Sequence, residues 1–166
     1  MQRKRPNIVV ILADDLGPWA LGCAGNSEIQ TPNIDRIARE GVRLENFFCV
    51  SPVCSPARAS LLTGRIPSQH GVQDWIVGGN GPFDWMHLGG TGRSTEYLEG
   101  IAGYSKLLAD DGYTCGLSGK WHLGATLDAQ QGFGHWYAMQ GAGGPYNDPG
   151  FVKNGEAVTE NGYLTD

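Results

Sequence analysis

Three small groups of residues carry side chains capable of chemistry, and each follows a strand-like run or opens a helix-like one. Asp14 and Asp15 come directly after the apolar run Ile8 to Ala13. Adjacent carboxylates at the end of a buried strand repel each other and lose hydration, and a hard divalent cation relieves both penalties. The pair equally suits the start of a turn with Gly17 and Pro18. In Cys54-Ser55-Pro56-Ala57-Arg58 a sulfur precedes a Pro-initiated helix, with a guanidinium one turn in. Exposed N–H groups and the helix dipole favour an anion there, and Arg58 can fork two oxygens of a sulfate or phosphate. The same field would favour a thiolate nucleophile, but cysteine phosphatases set Cys and Arg further apart than the three residues that intervene here. A small buried Cys before a helix is the plainest use of such a stretch. Lys120 and His122 flank Trp121, and in extended chain both point to one side, where they can clamp an anion from opposite Arg58. Either residue can equally be a solvated surface group.

The elements that must position these groups alternate. Ile8 to Ala13 is continuous and β-branched, as in a parallel strand covered on both faces, and ligands sit beyond the carboxyl ends of such strands. Thr31 and Pro32 open a helix with Ile34, Ile37 and Ala38 on one face, closed by Gly41. Val42 to Val50 reads as a second strand. The run Ala57 to Thr63 forms a helix stopped by Gly64, with Cys54 just outside its N-terminus. From Pro67 to Gly100, Trp75, Phe83, Trp85 and Met86 lie among glycines without a period, in the manner of a long functional loop. Ile101, Tyr104, Leu107 and Leu108 mark a helix ending at Gly112, and Tyr113 to Leu117 a third strand leading to Lys120. Asn154-Gly155 joins two short strands in a type I′ hairpin. These alternations imply an α/β chain without repeats or a domain linker.

Composition narrows the classes. The 166 residues hold 40% hydrophobic side chains, enough for a core, and 12 Lys+Arg against 17 Asp+Glu leave a net charge of −5. General nucleic-acid binding needs a basic face, and the only tight basic cluster is Arg3, Lys4 and Arg5. No apolar run approaches a membrane span, and Asp14 and Asp15 interrupt the signal-like start. The chain reads as soluble, with no signal peptide in it, either cytoplasmic or exported with a leader removed. Cys23, Cys49, Cys54 and Cys115 contain no C-x-x-C pair and no zinc spacing with His70, His87, His122 or His135.

Taken together, Pro6-Asn7-Ile8-Val9 through Asp14-Asp15-Leu16-Gly17, Thr31-Pro32-Asn33-Ile34-Asp35, Cys54-Ser55-Pro56-Ala57-Arg58 with Leu62-Thr63-Gly64-Arg65, and Gly119-Lys120-Trp121-His122-Leu123-Gly124 resemble the N-terminal part of a type I sulfatase. The resemblance implies an α/β, alkaline-phosphatase-like sheet flanked by helices. It implies that Cys54 is converted to formylglycine by a formylglycine-generating enzyme, the hydrated aldehyde being the nucleophile. One of its hydroxyls attacks sulfur, the alcohol leaves, and deprotonation of the other expels sulfate. By the same resemblance Arg58 and Lys120 neutralise sulfuryl charge, His122 assists the elimination, and Asp14, Asp15 and modified Cys54 bind a divalent cation, with Ca2+ favoured over Mg2+. His70, in a looser part of the pattern, is read as a structural hydrogen-bonding residue.

Family members run several times this length and carry further metal ligands and cations. The expectation is therefore a truncated catalytic domain over residues 1–166, nearly inactive alone and open to self-association through an incomplete sheet. The substrate is read as a sulfated small molecule or carbohydrate, either a carbohydrate or an aryl sulfate, with the aromatic segment suited to stacking on sugars. The rivals are a phosphonate monoester or phosphodiester hydrolase of the same superfamily, and a non-catalytic anion-binding or assembly module.

Overall fold

The computed structural model of the chain describes residues 5–77 and 95–165. By its internal contacts the chain divides into two compact units, Met1–Phe48 and Cys49–Asp166. Phe83, Trp85 and Met86 of the expected aromatic loop lie outside the described residues, as does Asp166.

In the first unit, α1 runs Pro32–Glu40 with Thr31 as N-cap residue and Gly41 at its end, as the Thr-Pro and Gly signals require. The Thr31 hydroxyl does not cap its own helix. It accepts the Gly22 N–H at 2.8 Å and donates to Asp35 at 2.9 Å, and Asp35 accepts the Cys23 N–H at 2.7 Å. Two short 3-10 turns, Pro18–Ala20 and Gly22–Ala24, are thereby fastened to the start of α1. The expected strands Ile8 to Ala13 and Val42 to Val50 are not strands here: both are irregular chain with exposed side chains. Exposure along 8–12 alternates (55, 84, 54, 85 and 49%), the period-2 mark of an extended segment. A parallel strand is defined by neighbours that take its N–H and C=O groups, and among the described residues neither run has one.

The second unit is built on a four-stranded mixed sheet in the order β1-β2-β3-β4: Cys115–Gly119, Phe133–Met139, Gly150–Lys153 and Glu156–Thr159. β1 and β2 pair in parallel, and the other pairs are antiparallel. A parallel pair needs a long crossover to return the chain to the same end of the sheet. Residues 120–132 are that crossover, so Lys120-Trp121-His122 leaves the carboxyl end of β1. The third expected strand is present, shifted two residues later; β2 was not anticipated, because only its second half alternates in burial. Asn154 and Gly155 close the β3–β4 hairpin with φ of 49° and 93°, the two positive angles of the anticipated turn.

Three helices, α2 (Cys54–Thr63), α3 (Pro67–His70) and α4 (Tyr104–Asp110), accompany the sheet. Ile101 stays outside α4, and Asp111 caps it. Ala59 and Leu62 of α2 share a core with Val72, Ile76, Leu98, Trp121, Leu123, Trp136, Ala138 and Val152. Trp121 meets Trp136 edge-on, ring centroids 5.3 Å apart, an arrangement that suits the ring quadrupoles. The Trp136 indole donates to Thr126 O at 2.7 Å, so burial leaves its N–H satisfied. The crossover carrying Lys120 and His122 is thus pinned through its own Trp121.

Gly124 lies within that crossover at φ 132°, where a Cβ would stand 2.1 Å from Thr95 O, a backbone atom that cannot step aside. Gly71, at φ 80°, faces open space. Gly124→Ala is expected to destabilise the chain by about 2–4 kcal/mol and Gly71→Ala by about 1 kcal/mol, read from urea midpoints. Equal losses for the two would contradict the packing described for Gly124.

Candidate active site

α2 begins at Cys54, with extended Val53 as N-cap, so the sulfur belongs to the first residue of the helix rather than to the residue before it. The difference is one position, within the usual ambiguity of a helix end. Cys54 is half-buried, while Ser55, Pro56, Ala59 and Leu62 form the helix's buried positions. Arg58 lies four residues beyond Cys54, on the same side of the helix.

Two links join α2 to the crossover. Arg58 Nη1 donates to Lys120 O at 2.6 Å, a charge-assisted bond between residues 62 positions apart. The Ser55 hydroxyl accepts the Ile76 N–H at 3.2 Å, and the carbonyl of the same Ile76 meets His122 Nε2 at 3.0 Å. Ser55 and His122 are fully buried, so these bonds form away from competing water. A carbonyl only accepts, so Nε2 carries a proton, and in the neutral ring Nδ1 is then the lone-pair nitrogen. The Trp75 ring lies edge-on to the imidazole, centroids 5.4 Å apart. His122 itself sits at φ 58°, a left-handed conformation that costs a non-glycine residue of order 1 kcal/mol and persists where surrounding bonds over-determine it.

The structure therefore brings Arg58, Lys120 and His122 to the helix that Cys54 opens. Arg58 gives one N–H of its guanidinium to the main chain at Lys120. Asp14 and Asp15 belong to the other unit, exposed at a bend, with Asp15 at φ 58°. Their oxygens are the hard donors a divalent cation takes, and they amount to part of a shell. Among the described residues no group of three or more His, Cys, Asp or Glu side chains converges on a metal position.

Sequence reasoning missed Ser55 and Ile76. Ser55 was visible only as a motif letter, and Ile76 acts through its peptide group, which any side chain would carry equally well. The role of His70 is structural in detail. Its Nδ1 accepts the Val72 N–H at 3.1 Å, so Nε2 donates to Ser60 Oγ at 2.9 Å, fastening α3 to α2. With the proton on Nε2, the ring cannot act as a base toward Ser60.

The chain matches the protein-family model Sulfatase over residues 6–165. It is 37% identical over 167 residues to an N-acetylglucosamine-6-O-sulfatase of Bacteroides thetaiotaomicron, covering 99% of this chain and 26% of that protein. It is 43% identical over 131 residues to human steryl-sulfatase, covering 79% of this chain and 21% of the relative. Among solved structures, a protein in complex with its substrate D-glucosamine-2-N,6-O-disulfate superimposes with a TM-score of 0.80 at 36% identity, over 98% of this chain and 29% of the other. Ps i-CgsB in complex with k-i-k-neocarrahexaose superimposes with a TM-score of 0.79 at 30% identity, over 98% and 39%. The chain spans about a quarter of the length of the curated relatives.

Burial holds His70 below the ordinary histidine value. On acidification through about pH 6.5 the unfolded chain takes up a proton that the folded chain refuses, so this contribution to stability is complete above that pH and is lost below it. Thermal melts from pH 7.5 to 5.5 should show a steeper loss for the wild type than for His70→Gln. Parallel losses would remove His70 as the cause.

Proposed function

The chain belongs to the sulfatase family, and from that premise we propose that it carries the nucleophile-bearing part of a sulfuric ester hydrolase site, with a sulfated carbohydrate as substrate. The observation that carries this reading is the Arg58–Lys120 contact. It joins the Cys-x-Pro-x-Arg helix to the Lys-Trp-His crossover, two segments remote in sequence that would each hold one side of a sulfate group. The α/β architecture is that of the solved structures it resembles, one in complex with D-glucosamine-2-N,6-O-disulfate and another with k-i-k-neocarrahexaose.

Cys54 is the residue that maturation would convert to formylglycine, through a formylglycine-generating enzyme that reads Cys54, Pro56 and Arg58. That modification supplies the hydroxyl nucleophile. Its place at the first turn of α2 suits such a role, because the positive end of the helix dipole stabilises developing negative charge. The Arg58 guanidinium and the Lys120 ammonium would neutralise sulfuryl charge from the helix and from the crossover. His122 holds a proton on Nε2 against Ile76 and takes or returns one at Nδ1. Asp14 and Asp15 supply oxygen ligands to a divalent cation, with Ca2+ suited by its tolerance of irregular carboxylate shells. A divalent cation held by these carboxylates would supply positive charge and Lewis-acid activation. The reading of Cys54 as a further metal ligand rests on family resemblance alone.

No described helix is long and apolar enough to cross a membrane. The sulfated-carbohydrate substrate rests on the names of the relatives, an N-acetylglucosamine-6-O-sulfatase among them. Trp75 alone of the expected stacking aromatics is described, and its ring is partly engaged with His122.

Co-expression with a formylglycine-generating enzyme, followed by peptide mass mapping across residue 54, is expected to recover the aldehyde in the wild type and none in Cys54→Ala. Recovery of residue 54 wholly as alkylatable cysteine would overturn the reading. Calorimetric titration with Ca2+ is expected to give a response that Asp14→Ala/Asp15→Ala loses. The same response in both would remove the pair from the metal site.

A further inference from the structure

We propose that Ser55 is a positioning residue for His122, acting through the peptide groups of Ile76. The proposal deepens the sulfatase reading, since it matters for catalysis only if His122 works beside residue 54. The observations beneath it are geometric. Ser55 Oγ accepts from Ile76 N at 3.2 Å, and Ile76 O accepts from His122 Nε2 at 3.0 Å. Ser55 and His122 are both fully buried, and Ile76 is nearly so.

One residue of chain thus connects the helix that carries the nucleophile position to the histidine. Ser55 is covalently next to Cys54, so the hydroxyl and the reacting position move as one rigid turn of α2. A hydroxyl that holds Ile76 N–H fixes where the Ile76 carbonyl points. That carbonyl in turn favours the Nε2–H tautomer, because an unprotonated Nε2 at 3.0 Å would set its lone pair against the carbonyl oxygen. Nδ1 is then the ring atom with a lone pair, and its direction is set by a strut anchored at residue 55. The left-handed backbone of His122 fits this account: an unfavourable conformation is kept where the ring and the main chain are both held.

Ser55 is not itself a proton carrier in this scheme. Its Oγ faces a backbone donor, and nothing requires it to touch substrate. Threonine would keep the hydroxyl and the strut; alanine would keep the helix and lose the strut.

The test is nitrogen NMR of 15N-histidine-labelled chain, all 166 residues, with amide hydrogen exchange at Ile76. The wild type and Ser55→Thr should show His122 as a single Nε2–H tautomer and a slowly exchanging Ile76 amide. Ser55→Ala, folded by circular dichroism, should show a mixture of tautomers and a faster Ile76 amide. A Ser55→Ala protein with an unchanged tautomer, or a wild type with the proton on Nδ1, would overturn the proposal. Should Ser55→Ala fail to fold, the wild-type measurements decide: an Ile76 amide that exchanges as fast as exposed ones overturns it, and a protected amide with the Nε2–H tautomer supports it. These spectra need neither formylglycine nor metal. Failure of the sulfatase reading would appear instead as unconverted Cys54 and would leave the histidine signals as they are.

Discussion

The bond from the Arg58 guanidinium to the Lys120 carbonyl is the constraint around which the candidate site is arranged. It is short and charge-assisted, and it lies between an α-helix and the loop that leaves the carboxyl end of β1. Without it, the two segments that carry the cationic groups would be joined by apolar packing, which is non-directional, and by the relay through Ile76. With it, the helix N-terminus and the Lys-Trp-His segment keep one relative orientation. Arginine suits the position better than lysine, because a planar fork can hold a carbonyl with one N–H and keep others for an anion.

Buried hydrogen bonds then distribute that constraint. Ile76 is gripped at its N–H by Ser55 and at its carbonyl by His122. His70 does the same between α2 and the residues after α3. Each imidazole has its tautomer set by a backbone group, but to opposite effect. In His70 both nitrogens are committed to holding α3 against α2, so the ring is structural. In His122 the backbone fixes one nitrogen and orients the other.

The sheet explains why the loop is where it is. A parallel β1–β2 pair obliges the chain to cross over, and the crossover is long enough to hold a buried tryptophan, a histidine and a tightly packed glycine. Trp121 points into the core against Trp136, which fixes the crossover between Lys120 and His122.

Local signals in the sequence determined the elements that depend on local chemistry: α1 from Thr31-Pro32 and Gly41, α2 from Pro56 and Gly64, the hairpin from Asn154-Gly155, because caps and turns are decided by a few residues' own φ, ψ and hydrogen bonds. The motifs around Cys54 and Lys120 were legible for the same reason, as short stretches of distinctive residue types that also carry the family resemblance. Tertiary structure alone decided the rest. Ile8 to Ala13 and Val42 to Val50 have strand-like composition, yet a strand exists only when another chain segment takes its backbone groups, and none does among the described residues. β2 formed without a clear pattern because its partners, β1 and β3, supplied the ladder. The link from Ser55 through Ile76 to His122 runs through main-chain atoms common to every residue, so only the folded chain could show it.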